Sequence, residues 1–428
     1  MAAVLLLAQK SNINGLNRLY DDNLAEFKSR DRLWSTPHLG LLTVGAMLPK
    51  DWDICYVDLN YEGITKRGYD FVFLSPATSQ AEEAYAYADS FKKSGAKTIM
   101  GGPHVSVLPE EALRHADSVF IGEAEDTAES FISDISRGKI KDVYMSQDKP
   151  DLSRSPVPLY NLAGRYPYKS IPVQLSRGCP HQCSFCLSST IYGCAVRRKP
   201  VDSVEKELLY VKTIWKRPFI FFTDDNLLFH EDASAGVFEI MKGLKLEWYG
   251  FTDISVYRKE KLLNLLAESG CRKLLIGFES LNAANLHHIN KAGWKKSRIE
   301  EYRLAIDTIQ RRKIGVVGSF ILGLAEDDEY TFDELYQFIL DTCIYGTNIT
   351  VSTPFPGTAY RRELLDNYIA LSAKWPEYDG FSLLFDLKHM EKDAFQSKFN
   401  ELIQKVNSKE RFERVVSYFQ KLMSERFL

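Results

Sequence analysis

The chain has 428 residues with 45% apolar content, enough for two or three domains of roughly 150 residues, each with its own core. That excludes a disordered chain, a collagen-like fibre and a disulfide miniprotein. Lys plus Arg (54) against Asp plus Glu (57) leave a net charge of −3, too little positive field to hold nucleic acid. Partners are expected among small molecules and peptides.

No apolar run reaches the roughly 18 residues of a membrane span, and the opening AAVLLLA of Ala2–Ala8 is short, with no basic residue before it. A cytoplasmic chain is expected. That same stretch reads as a buried first strand, since a parallel strand covered on both faces is apolar without alternation. Up to about Arg137, strands and helices alternate. A helix near Leu39–Leu48 precedes strands at Asp53–Val57 and Phe71–Leu74. A helix near Gln80–Ser94 follows, then strands at Lys97–Met100 and Ser118–Ile121. The pattern predicts an α/β, doubly wound, Rossmann-like parallel sheet over residues 1–140. Its ligands belong beyond the carboxyl ends of the strands, where Ser75, Gly101, Gly102 and Gly122 fall. Gly101-Gly102 either lets something large approach the backbone or makes a plain tight turn.

Five prolines between Asp142 and Pro172 mark residues 141–171 as a linker. A second series follows, with strands near Pro172–Ser176, Phe219–Thr223, Trp248–Phe251, Lys273–Gly277, Val316–Leu322 and Asn348–Ser352. Six strand-then-helix repeats predict a partial (β/α)6 TIM-type barrel over 172–365, its active site built from the loops after the strands. Residues 366–428, aromatic and charged, read as a small helical C-terminal region.

The strongest chemical signal is CPHQCSFC, which places Cys179, Cys183 and Cys186 directly after the first strand of the second series. Thiolates are soft ligands for iron–sulfur clusters or zinc. Three clustered ligands leave one iron of a four-iron cluster open, whereas structural zinc takes four. Cys194 is a fourth ligand in principle and a free thiol on the simpler reading. Seven cysteines, an odd number with Cys55, Cys271 and Cys343 scattered, suit a reducing compartment and not a disulfide framework. A zinc knot or redox-active cysteines are the alternative.

At these residues the sequence resembles the radical S-adenosylmethionine enzymes, whose C-x-x-x-C-x-Φ-C pattern is met by Cys179, Cys183, Phe185 and Cys186. The resemblance implies a 4Fe-4S cluster on the three cysteines, with its open iron chelating S-adenosylmethionine and Phe185 beside the adenine. It also implies an electron donor such as flavodoxin or ferredoxin. Asp224, Asp225 and Asn226 end the second barrel strand, where the family presents polar groups to the methionine moiety; a helix N-cap explains any one of them equally. Glu279 and Ser280, in GFES, follow the fourth strand at another cofactor-contact position. Ile321 and Gly323, in SFILGLAED, resemble neighbours of adenine on the fifth strand, and TPFPGT at Thr353–Thr358 resembles the sixth. Arg198 reads either as a carboxylate binder or, with Arg197, as a solvated basic loop.

A barrel of this kind behind a doubly wound domain is similar to the cobalamin-binding branch of the family. PHLGLL at Pro37–Leu42, LSPAT at Leu74–Thr78, GGPH at Gly101–His104 and IGEAED at Ile121–Asp126 carry the likeness, which extends over about residues 1–360. It implies a corrin at the carboxyl edge of the sheet. Ser75 and Thr78 would lie near its nucleotide tail, Gly101 and Gly102 would give backbone room, and His104, Gly122 and Glu123 would lie alongside. One departure matters. Histidine-ligated cobalamin proteins carry D-x-H-x-x-G after the first strand, but Gln9 to Ser35 contains no histidine. DLNYEG at Asp58–Gly63 has the spacing with Asn60 in the histidine place, yet it follows the second strand. A corrin without a histidine ligand from this motif is expected, with His38 and His104 as other neighbours.

The implied function is radical methylation of an unactivated carbon or phosphorus centre in a natural-product or cofactor precursor. Cyclisation, rearrangement or 3-amino-3-carboxypropyl transfer, with or without bound cobalamin, is the alternative chemistry. A methylthiotransferase generally needs a second cysteine-rich domain, and the N-terminal domain, residues 1–140, has only Cys55. A scaffold built around a structural metal is the non-enzymatic alternative.

Overall fold

The computed structural model describes residues 2–10, 36–66, 68–229, 231–367 and 369–424; the histidine-free stretch after the first strand lies almost wholly outside them. The first sheet holds β1 (Ala3–Ala8), β2 (Asp53–Asp58), β3 (Phe71–Leu74), β4 (Lys97–Met100), β5 (Ser118–Ile121) and β6 (Val143–Met145). All pair in parallel, in the order β2-β1-β3-β4-β5-β6. Both faces are covered: Val4, Leu6 and Phe73 point into one core, and Leu5, Leu7, Val72 and Leu74 into another beneath the helix Ala81–Lys93. Two-sided burial is why the first strand shows no alternation.

The segment expected to be a linker is packed. Tyr144 of β6 is buried as that strand extends the sheet beside β5. Tyr160 is fully buried, with its hydroxyl 2.6 Å from the Pro172 carbonyl and 2.7 Å from the Glu207 carboxylate. Prolines mark turns here, and the buried tyrosines between them anchor the segment to both domains.

The second sheet contains β7 (Ile171–Val173), β10 (Phe219–Phe222), β11 (Glu247–Thr252), β12 (Cys271–Glu279), β13 (Gly315–Leu322) and β14 (Gly346–Val351), all parallel in the order β7-β10-β11-β12-β13-β14. Among the described residues β14 does not pair with β7, so this is a six-stranded partial barrel. A two-stranded antiparallel ribbon of β8 (Ser176–Arg177) and β9 (Arg197–Arg198) stands beyond the end of β7. Trp248, fully buried, lies flat on Phe238 at 4.9 Å between ring centres and donates its indole N–H to Ser269 at 3.0 Å. Helices Lys392–Val406 and Lys409–Ser424 complete the C-terminal region, and Phe395 packs on Phe332 of the barrel helix Glu329–Thr342. The segment before them reaches the first domain, where Trp375 donates to Glu111 at 2.8 Å. Among the described residues no helix is long and apolar enough to cross a membrane.

Trp248→Ala is expected to cost about 3–5 kcal/mol through the cavity it leaves, read as a lower denaturant midpoint for unfolding of the chain.

Candidate functional site

The carboxyl ends of β3, β4 and β5 open toward the mouth of the barrel. Gly102 has φ +88°, and a Cβ there would lie 2.3 Å from Ser75 Oγ; Gly122 has φ +79° and faces open space. Both backbone conformations strain any side chain. Between the domains lies a cavity of about 570 Å³, lined by Ser75, Gly101, Gly102 and Gly122 on one side and by Gln174, Arg177, Thr223 and Asp225 on the other. A glycine cradle facing a cavity this large fits a bulky planar group brought close to the backbone.

His38 lines the same cavity but is committed elsewhere. It caps the helix Leu39–Met47, with Nδ1 accepting from Leu41 N at 3.2 Å and Nε2 facing the Ser75 carbonyl at 3.0 Å. Burial lowers its pKa, so the ring is neutral. The network assigns the proton to Nε2 and leaves no free lone pair for cobalt.

The cysteine loop turns at Gly178, φ +103°, where a Cβ would come 2.4 Å from the Ala195 carbonyl. Carboxylates from the end of β10 tie it down. Asp224, fully buried, accepts from Leu175 N at 3.0 Å and from Ser176 Oγ at 2.5 Å, and Asp225 accepts from Gly178 N at 3.0 Å. Burial raises the Asp224 carboxyl to about 6 against these hydrogen bonds. Inside the motif, His181 Nε2 lies 2.9 Å from Asp253 Oδ2, which also accepts from Asn226 at 2.7 Å. Burial alone would raise Asp253; hydrogen bonds from His181, Ser255 and Asn226 hold it well below the ordinary carboxylate range. The His181 ring rests on Trp294 at 4.2 Å, and its carbonyl accepts from Asn290 at 2.7 Å.

Burial pushes the Cys179 thiol up to about 11 and Cys183 to about 12, and raises Cys186 too. A cationic centre must therefore be present before these sulfurs become thiolate ligands. Among the described residues no three His, Cys, Asp or Glu side chains converge on one ion position. Lys295 supplies a nearby positive charge. It donates to Glu279 at 2.9 Å and to the Gly277 carbonyl at 2.8 Å. Burial opposes its charge, but Glu279 and Cys183 outweigh burial and hold its pKa above the usual lysine value. Glu279 sits at φ +67°, after a register shift at the end of β12, and a Cβ on Gly277 would lie 2.2 Å from its carboxylate.

Several expected contacts are spent on the protein itself. Asp224 braces the loop, and both of its oxygens are taken. Both Glu123 oxygens pair with arginines, Oε2 with Arg177 at 2.6 Å and Oε1 with Arg197 at 2.7 Å. His104 is fully buried off the cavity, 3.0 Å from Tyr85 OH and edge-on to Trp375. Thr78 is buried at the head of a helical turn, also off the cavity. Gly323 faces Leu383 and Phe395 of the C-terminal region, each 3.4 Å from an added Cβ. Ser280 Oγ accepts from Asn282 N at 3.0 Å. Asn226 remains in the His181 network, Ile321 is buried one residue before the end of β13, and Phe185 lies half-buried between the barrel core and the C-terminal aromatic cluster. Arg197 and Arg198 are not a solvated loop: Arg198 donates to Ser234 at 2.9 Å. The sequence reading passed over Arg177, His181, Asp253 and Lys295.

Residues 34–132 match the B12 binding domain and residues 173–339 the radical SAM superfamily. The bacteriochlorophyllide d C-12(1)-methyltransferase of Chlorobaculum tepidum is 30% identical over 378 residues, 86% of this chain and 82% of that protein. The chain belongs to the cobalamin-dependent radical SAM methyltransferase family. A second relative, the C-8(2)-methyltransferase of the same organism, is 27% identical, covering 84% of this chain and 83% of its own. In fold, this family member resembles the radical SAM methyltransferase TsrM of Kitasatospora setae, solved with cobalamin and a 4Fe-4S cluster. The TM-score is 0.68 at 13% identity, over 96% of this chain and 92% of that one. The cobalamin-dependent enzyme OxsB, with aqua-cobalamin and S-adenosylmethionine, gives 0.68 at 14% identity, over 98% and 71%. The cofactors of this radical SAM methyltransferase are therefore a 4Fe-4S cluster, S-adenosylmethionine and cobalamin.

Folded Asp224 takes up its proton at about pH 6 against an ordinary value of 3.8. Between those values the native state holds the extra proton, so stability falls as pH rises through that window. Asp224→Asn keeps both contacts, because Ser176 Oγ can turn acceptor. Its stability relative to wild type is expected to rise by about 2 kcal/mol from pH 4 to pH 7, measured by denaturant unfolding at the two pH values.

Proposed function

We propose that the chain methylates an unactivated carbon of an extended, largely apolar ring-system precursor, drawing single electrons from a flavodoxin- or ferredoxin-like donor in the cytoplasm. One observation carries this reading: a single cavity is walled by the glycine edge of the first sheet and by the barrel mouth beside the cysteine loop. The substrate class is supported by the relatives, among them the two bacteriochlorophyllide methyltransferases and the hopanoid C-2 methylase of Rhodopseudomonas palustris, 27% identical over 335 residues.

In this reading Cys179, Cys183 and Cys186 hold the cluster. When bound, the cluster supplies the electron that opens the carbon–sulfur bond of S-adenosylmethionine, and the corrin supplies the methyl carrier. The chain's own residues orient and exclude. Asp225, on the cavity wall, offers a carboxylate to the methionine ammonium group, while Asn226, Glu279 and Ser280 shape the adjoining strand ends. Lys295 offsets the negative charge gathered by the sulfurs and Glu279. Phe185 and Ile321 form the apolar wall for the adenine. Ser75, Gly101, Gly102 and Gly122 keep side chains out of the corrin's space. No general base is assigned, since hydrogen abstraction is the radical's task. The walls keep water and quenchers out.

Anaerobically reconstituted protein, given S-adenosylmethionine labelled in the methyl group, is expected to add one labelled methyl to a tetrapyrrole or polycyclic acceptor and to release 5′-deoxyadenosine. Cys183→Ala is expected to lose cluster iron and 5′-deoxyadenosine formation to background while still taking up hydroxocobalamin. Methylthioadenosine as the nucleoside product, or 5′-deoxyadenosine with a rearranged, unmethylated acceptor, would overturn the reading.

A further inference from the structure

The junction of the domains holds a charged cluster on the wall of the shared cavity, three of whose members, Glu123, Glu125 and Arg177, line it. Glu123 and Glu125 follow Gly122 at the carboxyl edge of the first sheet, and Arg177 stands two residues before Cys179. Arg177 donates to Glu123 at 2.6 Å through Nη1 and to Glu125 at 2.8 Å through Nη2. Arg197 donates to Glu123 at 2.7 Å and 3.0 Å through its two terminal nitrogens. The carboxylate side chains are 2% and 4% exposed, Arg177 11% and Arg197 18%. The connecting segment joins in: Ser155 Oγ donates to Glu125 at 3.0 Å, and Arg197 donates to the Pro150 carbonyl at 2.9 Å.

Buried ion clusters contribute little net stability, because desolvation offsets most of the attraction. An arginine fork, however, donates to its carboxylates in one plane and one orientation. Apolar contacts would hold two domains together without fixing their relative rotation. One end of this cluster is bonded to the backbone stretch that edges the corrin cradle, the other to the stretch that starts the cysteine loop. We propose that Glu123, Glu125, Arg177 and Arg197 form a positioning clamp that sets the separation and orientation of the corrin site relative to the cluster site. The proposal rests on the two-cofactor reading above. The four side chains act through the backbones they hold, as positioning residues.

The test uses the full chain loaded with cluster and cobalamin and reduced without S-adenosylmethionine, so that cob(II)alamin and the reduced cluster each carry an unpaired spin. Their magnetic coupling, read by pulsed electron paramagnetic resonance, reports the separation of the two sites directly. Wild type is expected to give one narrow separation. Glu123→Gln, nearly isosteric, should keep wild-type iron and cobalt content but broaden the separation. With S-adenosylmethionine and acceptor added, it should raise the ratio of 5′-deoxyadenosine to methylated product about tenfold or more. Glu125→Gln, which leaves Arg177 one carboxylate, is expected to do the same more weakly and carries the test if Glu123→Gln does not fold. A narrow, wild-type separation with an unchanged product ratio in a folded, loaded variant overturns the clamp alone. Wild-type protein that takes up no cobalt overturns the functional reading and the clamp with it.

Discussion

The polarity of two parallel sheets governs the site. In a parallel sheet every strand ends on the same edge, so the loops that follow the strands gather on one side. The first sheet and the barrel each have one such edge, and the two edges meet at the shared cavity. Ser75, Gly102 and Gly122, separated in sequence, become one rim because β3, β4 and β5 lie side by side. The same holds for the ends of β10, β11 and β12, which bring Asn226, Asp253 and Glu279 around the cysteine loop.

At that loop, three thiols stand in surroundings that favour their neutral form, and the chain surrounds them with charge held in place by hydrogen bonds. Asp224 spends its carboxylate on Leu175 and Ser176, Asp225 on Gly178, and Asp253 on His181 and Asn226. Each is a buried or partly buried acid whose partners prevent it from relaxing, as the low dielectric makes an unpaired group costly. Lys295, bound to Glu279 and to a strand carbonyl, places a fixed cation beside Cys183.

Polar groups near the strand ends divide between the cavity wall and pairing within the protein. Glu123, after Gly122 at a strand end, lines the cavity and is paired there with two arginines from the other domain. His104 follows the Gly101-Gly102 pair, yet the helix that begins there turns its ring inward to Tyr85 and Trp375. Trp375 is 271 residues further along the chain, and no local pattern predicts that it reaches the first domain. The connecting segment shows the same division: proline content describes turns, whereas burial of Tyr144 and Tyr160 depends on what lies across from them.

Local chemistry was legible in the sequence by itself. Apolar runs marked strands buried on both faces, strand–helix alternation marked two parallel sheets, glycines marked the strand ends, and three cysteines with their aromatic neighbour marked the cluster loop. These signals are short-range, set by backbone sterics, side-chain period and ligand spacing. Only the tertiary structure decided which polar side chains face the cavity and which are consumed in pairing. A carboxylate's role depends on the donors within about 3 Å of it, and those donors come from distant elements that folding alone brings together.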